Sequence, residues 1–415
     1  MHMNKSKKLL PMLRFPQYKS EWEISKFNFE FLQTNSFSRA EMNEDKGSVR
    51  NIHYGDILTK YNCILKNISN IPFINEGINL SRFNEACYLQ NGDIIIADTA
   101  EDLSAGKAIE VQNINSAVLA GQHTFLCRPQ NNFAPCYMGY YINSPSYHNS
   151  LVPLLTGIKV YSISKANIKK TYLLWPKEYS EQQKIADCLS SLDDLIDAES
   201  RKLEALKKHK MGLTQKLFPA EGKTMPEWRF PEFSKKGNWN RVPLSCICRM
   251  QAGKHISASE IIDKEKDGTF PCYGGNGLRG YTNIFNHAGQ YPLIGRQGAL
   301  CGNVTFATGK FYATEHAIVV TANESIDKKW LYYLLISLRL NQYATGQAQP
   351  GLGVQTIEKV IVSYPSDEKE QQKIASCLSE VDSLITAQSD KIKSLKTHKR
   401  GLMQGLFPSL GEAEL

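Results

Sequence analysis

The stretch EQQKIADCLSSLDDLIDAESRKLEALKKHKMGLTQKLFP, Glu181–Pro219, returns as EQQKIASCLSEVDSLITAQSDKIKSLKTHKRGLMQGLFP, Glu370–Pro408. The offset is 189 throughout, without a gap, and 25 of 39 positions are identical. Agreement at that level marks a duplication inside the chain. Each copy reads as one long helix. In the first, Ile185, Leu189, Leu192, Ile196, Leu203, Leu206, Leu213 and Leu217 form an apolar seam that steps by four and three. In the second, Ile374, Leu378, Val381, Ile385, Ile392, Leu395, Leu402 and Leu406 hold the same places. Both seams are interrupted at the same two positions, Glu199/Gln388 and Lys210/Lys399. An apolar period near 3.5 predicts a left-handed coiled coil, and Pro219 and Pro408 stop the helices.

Charge sets the sense of pairing. Each copy is acidic early (Asp187, Asp193, Asp194, Asp197; Glu380, Asp382) and basic late (Lys207, Lys208, Lys210; Lys396, Lys399, Arg400). Parallel alignment would place like charges together, whereas antiparallel alignment sets acidic halves against basic ones. A compact domain between the two helices has neighbouring termini, which again predicts the antiparallel pair. At ~1.5 Å per residue, a helix of about 38 residues spans roughly 57 Å. A head at each end of such a rod would span up to roughly 17 base pairs at ~3.4 Å each. Two unlike heads on one ruler suit two different half-sites at a set spacing.

The remaining sequence supplies the heads. A chain of 415 residues needs two or three cores. At 42% hydrophobic and 22% charged it is globular in composition, and no apolar run approaches the ~18 residues of a membrane helix. Met1-His2-Met3 reads as a cloning remnant, and Pro11 intervenes before a signal-peptide core develops, so export is not expected. None of the 10 cysteines forms a C-x-x-C pair, which points to reduced thiols in a cytoplasmic protein rather than a disulfide or zinc scaffold. A net charge of +8 permits a polyanionic partner without requiring one. A second, fainter echo opens each unit: Pro11-Met-Leu-Arg14-Phe15-Pro16 and Pro226-Glu-Trp-Arg229-Phe230-Pro231. The chain therefore divides into a first domain (1–175), a first spacer helix (176–219), a second domain (220–365), a second spacer helix (366–408) and a tail (409–415). The fold class expected is α+β, with two globular α/β domains joined by two long antiparallel helices and related by a pseudo-two-fold.

Within the heads, Gly92–Ala97, Ile109–Val111, Ala117–Ala120 and His123–Cys127 read as strands, followed by helix over Tyr137–Asn143 and onward to Leu155. In the second head Tyr291–Ile294, Val304–Phe306 and Ala317–Thr321 read as strands, and Trp330–Ser337 as helix. His123 and His316 precede equivalent strands and read as polar strand-edge residues rather than catalysts. Gly275-Asn-Gly-Leu-Arg-Gly280 matches G-x-G-x-x-G, but no helix follows, so Asn276-Gly277 reads as a hairpin turn and not a dinucleotide loop. Tyr273, Asn276 and Arg279 on that turn suit base edges and phosphates, and Lys254 is a further candidate DNA contact. In Gly295-Arg296-Gln297-Gly298, Arg296 can bind guanine O6/N7 and Gln297 adenine N6/N7, between glycines that allow close approach. The corresponding loop of the first domain offers Thr99, Glu101, Asp102 and Lys107, the acids suited to accepting from cytosine N4.

Chemical machinery is missing. Asn70-Ile-Pro-Phe73 lacks the first proline of an Asn/Asp-Pro-Pro-aromatic methylase motif, and no cofactor loop accompanies it. No P-D dipeptide of a metal nuclease, no G-x-x-x-x-G-K-[ST] loop and no G-x-S-x-G elbow occurs.

The doubled E-Q-Q-K-I-A…L-F-P helices, the P-x-x-R-F-P openings and Gly92-Asp-Ile-Ile-Ile-Ala-Asp-Thr99 together resemble the DNA-sequence specificity subunit of type I restriction–modification enzymes, over nearly the whole chain. The resemblance implies two target-recognition domains, each reading half of a bipartite asymmetric site in double-stranded DNA. It implies that Glu181–Pro219 and Glu370–Pro408 are the spacer and dock two methylation subunits, with two restriction/translocase subunits joining them. It also implies a non-catalytic chain that binds no cofactor or metal, with S-adenosylmethionine, ATP and Mg held by its partners. The competing expectation is a coiled-coil scaffold with two ligand-binding heads, against which the divergence of the heads beside near-identical helices argues.

Overall fold

A computed structural model describes residues 10–298, 300–346 and 350–409. Met1-His2-Met3 and all but Ser409 of the tail lie outside the described residues. The two long helices run over Tyr179–Leu217 and Glu368–Leu406, 39 residues each. All sixteen seam residues are buried or half-buried along them. Contacts divide the chain into two units, one up to Glu199 together with the residues from Lys391 on, the other Ser200–Asp390. Each unit thus holds one head and one half of each helix. No helix among the described residues is long and apolar enough to cross a membrane.

The pairing sense is visible inside each unit. In the first, Lys391 is bonded to Glu199, and the Lys399 ammonium sits 2.5 and 2.7 Å from the two Asp193 oxygens. In the second, Lys210 lies 2.6 Å from Asp382. Numbers rise along one helix as they fall along the other, in the second unit because Leu217 shares a core cluster with Ile374 and Leu378, so the helices are antiparallel in both units. Three of the four seam interruptions that sequence periodicity flagged, Glu199, Lys210 and Lys399, are therefore where cross-helix ion pairs form.

In the first unit, Trp22–Lys26 pairs antiparallel with Tyr172–Pro176, the strand that feeds the long helix. A five-stranded sheet has the order Glu30–Leu32, Thr124–Arg128, Ile94–Ala97, Ala108–Val111, Ile64–Leu65. The run Ile94–Ala97 is buried at every position because its sheet is covered on both faces. Ile94 and Ile96 join the Tyr137, Tyr141, Leu189 and Phe407 cluster, while Ile95 and Ala97 join that of Ile52, Ile57 and Leu126. A four-stranded sheet (Val118–Ala120, Arg50–Ile52, Phe73–Ile74, Met42–Asn43) and the pair Tyr161–Ser162 with Thr99–Ala100 complete the head.

The second unit repeats the frame and changes the filling. Asn240–Pro243 pairs with Ile361–Tyr364 ahead of the second long helix. A six-stranded sheet has the order Cys248–Ala252, Ala317–Ala322, His287–Gly295, Val304–Ala313, Phe270–Gly274, Gly277–Thr282. The helix Lys328–Ser337 buries Trp330, Leu331, Leu334 and Leu335 against Leu217, Phe218, Ile374 and Leu378. The turn between the antiparallel strands falls at Gly275 and Asn276, one residue ahead of the predicted Asn276-Gly277, and Gly277 follows it with a left-handed φ of +84° that glycine enters without strain.

Candidate nucleic-acid interface

In the second head a cleft of about 500 Å³ is lined by Gly274, Gly275, Asn276, Gly277, Leu278, Arg279, Gln297, Gly298 and His316. Its floor is backbone packed on backbone: a Cβ on Gly295 would lie 2.0 Å from the Gly275 carbonyl oxygen, and one on Gly275 2.9 Å from that of Gln297. Only glycine permits this approach, so the hairpin turn and the Gly295–Gly298 loop are held together. Asn276, Arg279 and Gln297 are exposed on it. The structure thus joins three of the sequence-selected residues and adds His316. The His316 ring Nε2 lies 3.3 Å from Glu315 Oε1, and His255 Nδ1 lies 3.0 Å from the same oxygen. Burial works to raise the Glu315 carboxyl, but the hydrogen bond from His255, its own backbone N–H and the two neighbouring imidazoles outweigh it and hold the group below its usual range.

Other selected residues fall elsewhere. Tyr273 is half-buried with its ring edge on Phe311, centroids 5.7 Å apart, so it is a packing residue rather than a free reader. Lys254 is exposed but does not line the cleft, and its backbone N–H is bonded to the Ala313 carbonyl. Arg296 is half-buried beside the cleft, with its backbone N–H on His316 and its carbonyl on Leu352.

In the first head, Glu101 and Asp102 are exposed, and Asp102 Oδ1 accepts from the Ser104 N–H at 2.9 Å, closing a turn. Hydrogen bonds from Ser104 hold the Asp102 carboxyl below its usual range. Thr99 donates to Asp98 Oδ1 at 2.7 Å. Lys107 requires a correction: its ammonium is half-buried and donates to the Leu58 and Tyr61 carbonyls at 3.0 Å each. It ties the loop to the end of the helix Tyr54–Thr59 and is not available to a phosphate.

The joints between heads and helices were missed as contacts, although both partners sit in repeated motifs. Arg14 of the first opening motif donates twice to Glu181, both at 2.7 Å, and Arg229 does the same to Glu370. The Tyr140 hydroxyl donates to Asp193 at 2.8 Å and that of Tyr333 to Asp382 at 2.7 Å, with Lys399 and Lys210 over the respective rings. Gln182 and Gln371 each donate to the carbonyl of the proline at the end of the preceding strand or just past it, Pro176 and Pro365, and accept a backbone N–H of their own head. Away from these joints, several identical positions are exposed in both copies, among them Leu195/Leu384, Ala198/Ala387, Lys202/Lys391 and His209/His398.

The sequence profile of the type I restriction modification DNA specificity domain matches this chain twice, over residues 46–208 and 236–397. The chain belongs to that family. It is 47% identical over 148 residues to the type I restriction enzyme EcoprrI specificity subunit of Escherichia coli, a match covering 35% of this chain and 37% of the relative. The match to that curated relative therefore spans little more than a third of its length. A longer one, 24% identical over 338 residues, covers 76% of this chain and 77% of the putative type I restriction enzyme MjaX specificity subunit of Methanocaldococcus jannaschii. The crystal structure of the type I restriction–modification S subunit from M. genitalium shares the fold, with a TM-score of 0.60, 16% identity, and coverage of 97% of this chain and 100% of that one. A chain from a structure of complex assembly and conformational transition in the type I system has a TM-score of 0.57 at 15% identity, covering 95% and 98%. Two specificity domains on duplicated helices are what this family supplies.

Proposed function

We propose that this chain is the DNA-reading, non-catalytic subunit of a type I restriction–modification complex, recognising a bipartite asymmetric duplex sequence through two target-recognition domains held at fixed spacing. The observation that carries the reading is the contrast between the copies: the helices keep 25 of 39 residues, while the heads they carry have different sheets and different polar loops. Unlike heads on like supports serve two different ligand sequences and one kind of partner. The exposed positions repeated on both helices offer one surface twice, which suits two copies of a methylation subunit, with two restriction/translocase subunits completing the assembly. S-adenosylmethionine, ATP and Mg belong to those partners, and a reader of cellular DNA works in the cytoplasm.

Mechanistically, Lys and Arg contacts to phosphates set both heads on the duplex, and segments such as the hairpin bearing Arg279 and the loop bearing Gln297 meet base edges. Binding presents one adenine per half-site to a methylation subunit, where the base leaves the stack for modification. The test is a salt-dependent gel shift and methylome sequencing with the methylation subunit co-expressed. A single bipartite motif with adenine methylated in both halves is expected, and affinity should fall with rising salt. Methylation by the chain alone, or binding indifferent to sequence, would refute it.

A further inference from the structure

The two heads differ in sheet order and in most loops, yet one backbone device recurs in both. The Asp98 N–H donates to the His123 carbonyl at 3.1 Å, and the Arg296 N–H donates to the His316 carbonyl at 2.8 Å. The Asp98 carbonyl accepts from Ile163 N–H, and that of Arg296 from Leu352 N–H, both at 2.8 Å. The following residues match as well, Thr99 facing Ser162 and Gln297 facing Gly351. Ser162 and Gly351 in turn close antiparallel bridges to Thr156 and Thr345. Asp98 is thus the structural counterpart of Arg296, and His123 of His316. Sequence comparison aligned the histidines but left Asp98 out of the candidate set.

We propose that Asp98 with His123, and Arg296 with His316, are matched specificity pairs, one device carrying opposite charge so that the two heads select different bases at corresponding positions of their half-sites. This rests on the DNA-reading function proposed above. A carboxylate accepts from the amino groups of cytosine N4 or adenine N6, whereas a guanidinium donates to guanine O6 and N7. Each histidine has a carboxylate that sets its tautomer. Asp98 Oδ1 lies 3.3 Å from His123 Nδ1, so the proton stays there and Nε2 is left to meet a ligand. Glu315 sits at Nε2 of His316 instead, and His316 lines the cleft.

A surface hydrogen bond of no consequence would need no special backbone. His123, however, has φ of +55°, in the left-handed region that a residue with a Cβ enters rarely, and its side chain remains 47% exposed. Such a conformation is held where the surroundings fix it, as at recognition sites. Tyr54 adds an aromatic edge, its ring centroid 5.3 Å from that of His123.

The experiment uses the full chain assembled with its methylation subunits and a pool of random-sequence duplexes selected by binding. Asp98→Asn and Arg296→Lys are compared with the unaltered complex, and His123→Gln and His316→Gln form a second pair. Each substitution should relax discrimination at one position of one half-site by roughly 10- to 100-fold. Asp98→Asn should act in one half and Arg296→Lys in the other, and the untouched half-site reports that the chain is folded. Selection profiles identical to the unaltered complex, or equal weakening on all sequences, would overturn the pairing while leaving the DNA-reading function intact. If the unaltered complex selects no bipartite sequence, the function itself falls.

Discussion

Replacing Arg229 by Met tests the joint between the second head and its helix. The Arg229 side chain is 8% exposed and that of Glu370 1%, with two N–H···O contacts of 2.7 Å between them. The carboxylate receives one further bond, from the Trp239 indole at 3.1 Å. In Arg229→Met, Glu370 keeps that single neutral donor inside the protein, and an abandoned buried charge costs about 3–5 kcal/mol. For a unit of this size a loss of about 1 kcal/mol lowers the melting midpoint by about 2–4 °C, so a drop of roughly 6–20 °C is expected. The double variant Arg229→Met/Glu370→Leu should recover most of it, because exchanging a buried pair for apolar side chains is near neutral. Glu370→Leu alone should cost less than Arg229→Met, since the guanidinium keeps the Lys236 and Gly237 carbonyls at 2.8 and 3.0 Å. Calorimetry of the full chain and its variants closes the double-mutant cycle. A coupling below about 1 kcal/mol, or a double variant as unstable as Arg229→Met, would show that the ion pair does not hold the head to the helix.

Inserting seven residues into both helices in register should lengthen the gap between half-sites by about three base pairs, since seven residues rise ~10.5 Å. Methylome sequencing would then find the half-site sequences unchanged, and altered half-sites would contradict the ruler. Lys107→Met should lower stability by about 1–3 kcal/mol through two orphaned carbonyls, while the selected DNA sequence stays the same; a changed motif would restore Lys107 as a contact. Glu110 is buried and accepts from Gln112, Cys136 N–H and Gly139 N–H, yet burial outweighs these bonds and holds its carboxyl above the usual range. Its raised folded pKa means that stability falls as pH rises from the unfolded carboxylate value through the folded one. Urea melts across that window should show the fall in the native chain and lose this component in Glu110→Gln.

Much of the frame was written locally. The antiparallel sense is read from a charge gradient that runs the length of each copy, whereas each helix itself is written in a 3.5-residue seam that depends only on neighbours within a turn or two. The buried strand Ile94–Ala97 and, to within one residue, the hairpin turn at Gly275-Asn276 were legible for the same reason. The site depends on approach across the sequence. Arg279, Gln297 and His316 share a cleft only because glycine backbones pack face to face, a fact with no local signature. Lys107 lies in a polar loop and reads as exposed, but the carbonyls that bind it are 46 and 49 residues away. Tyr273 sits beside turn glycines, and the partner of its ring, Phe311, arrives from another strand. Arg14 and Glu181 each belong to a visible repeat, but nothing in the sequence says that one repeat clasps the other.

The Arg–Glu clasp, the Tyr–Asp–Lys contact and the glutamine bridge are the same in both units, whereas what lies above them is not. They act as a standard socket. A new head need only present the mating plug, an opening arginine and one tyrosine at the right height, to seat on the old rod. Recombination that swaps heads between such genes would then exchange the DNA sequence that is read at a single stroke, with both helices left as they were.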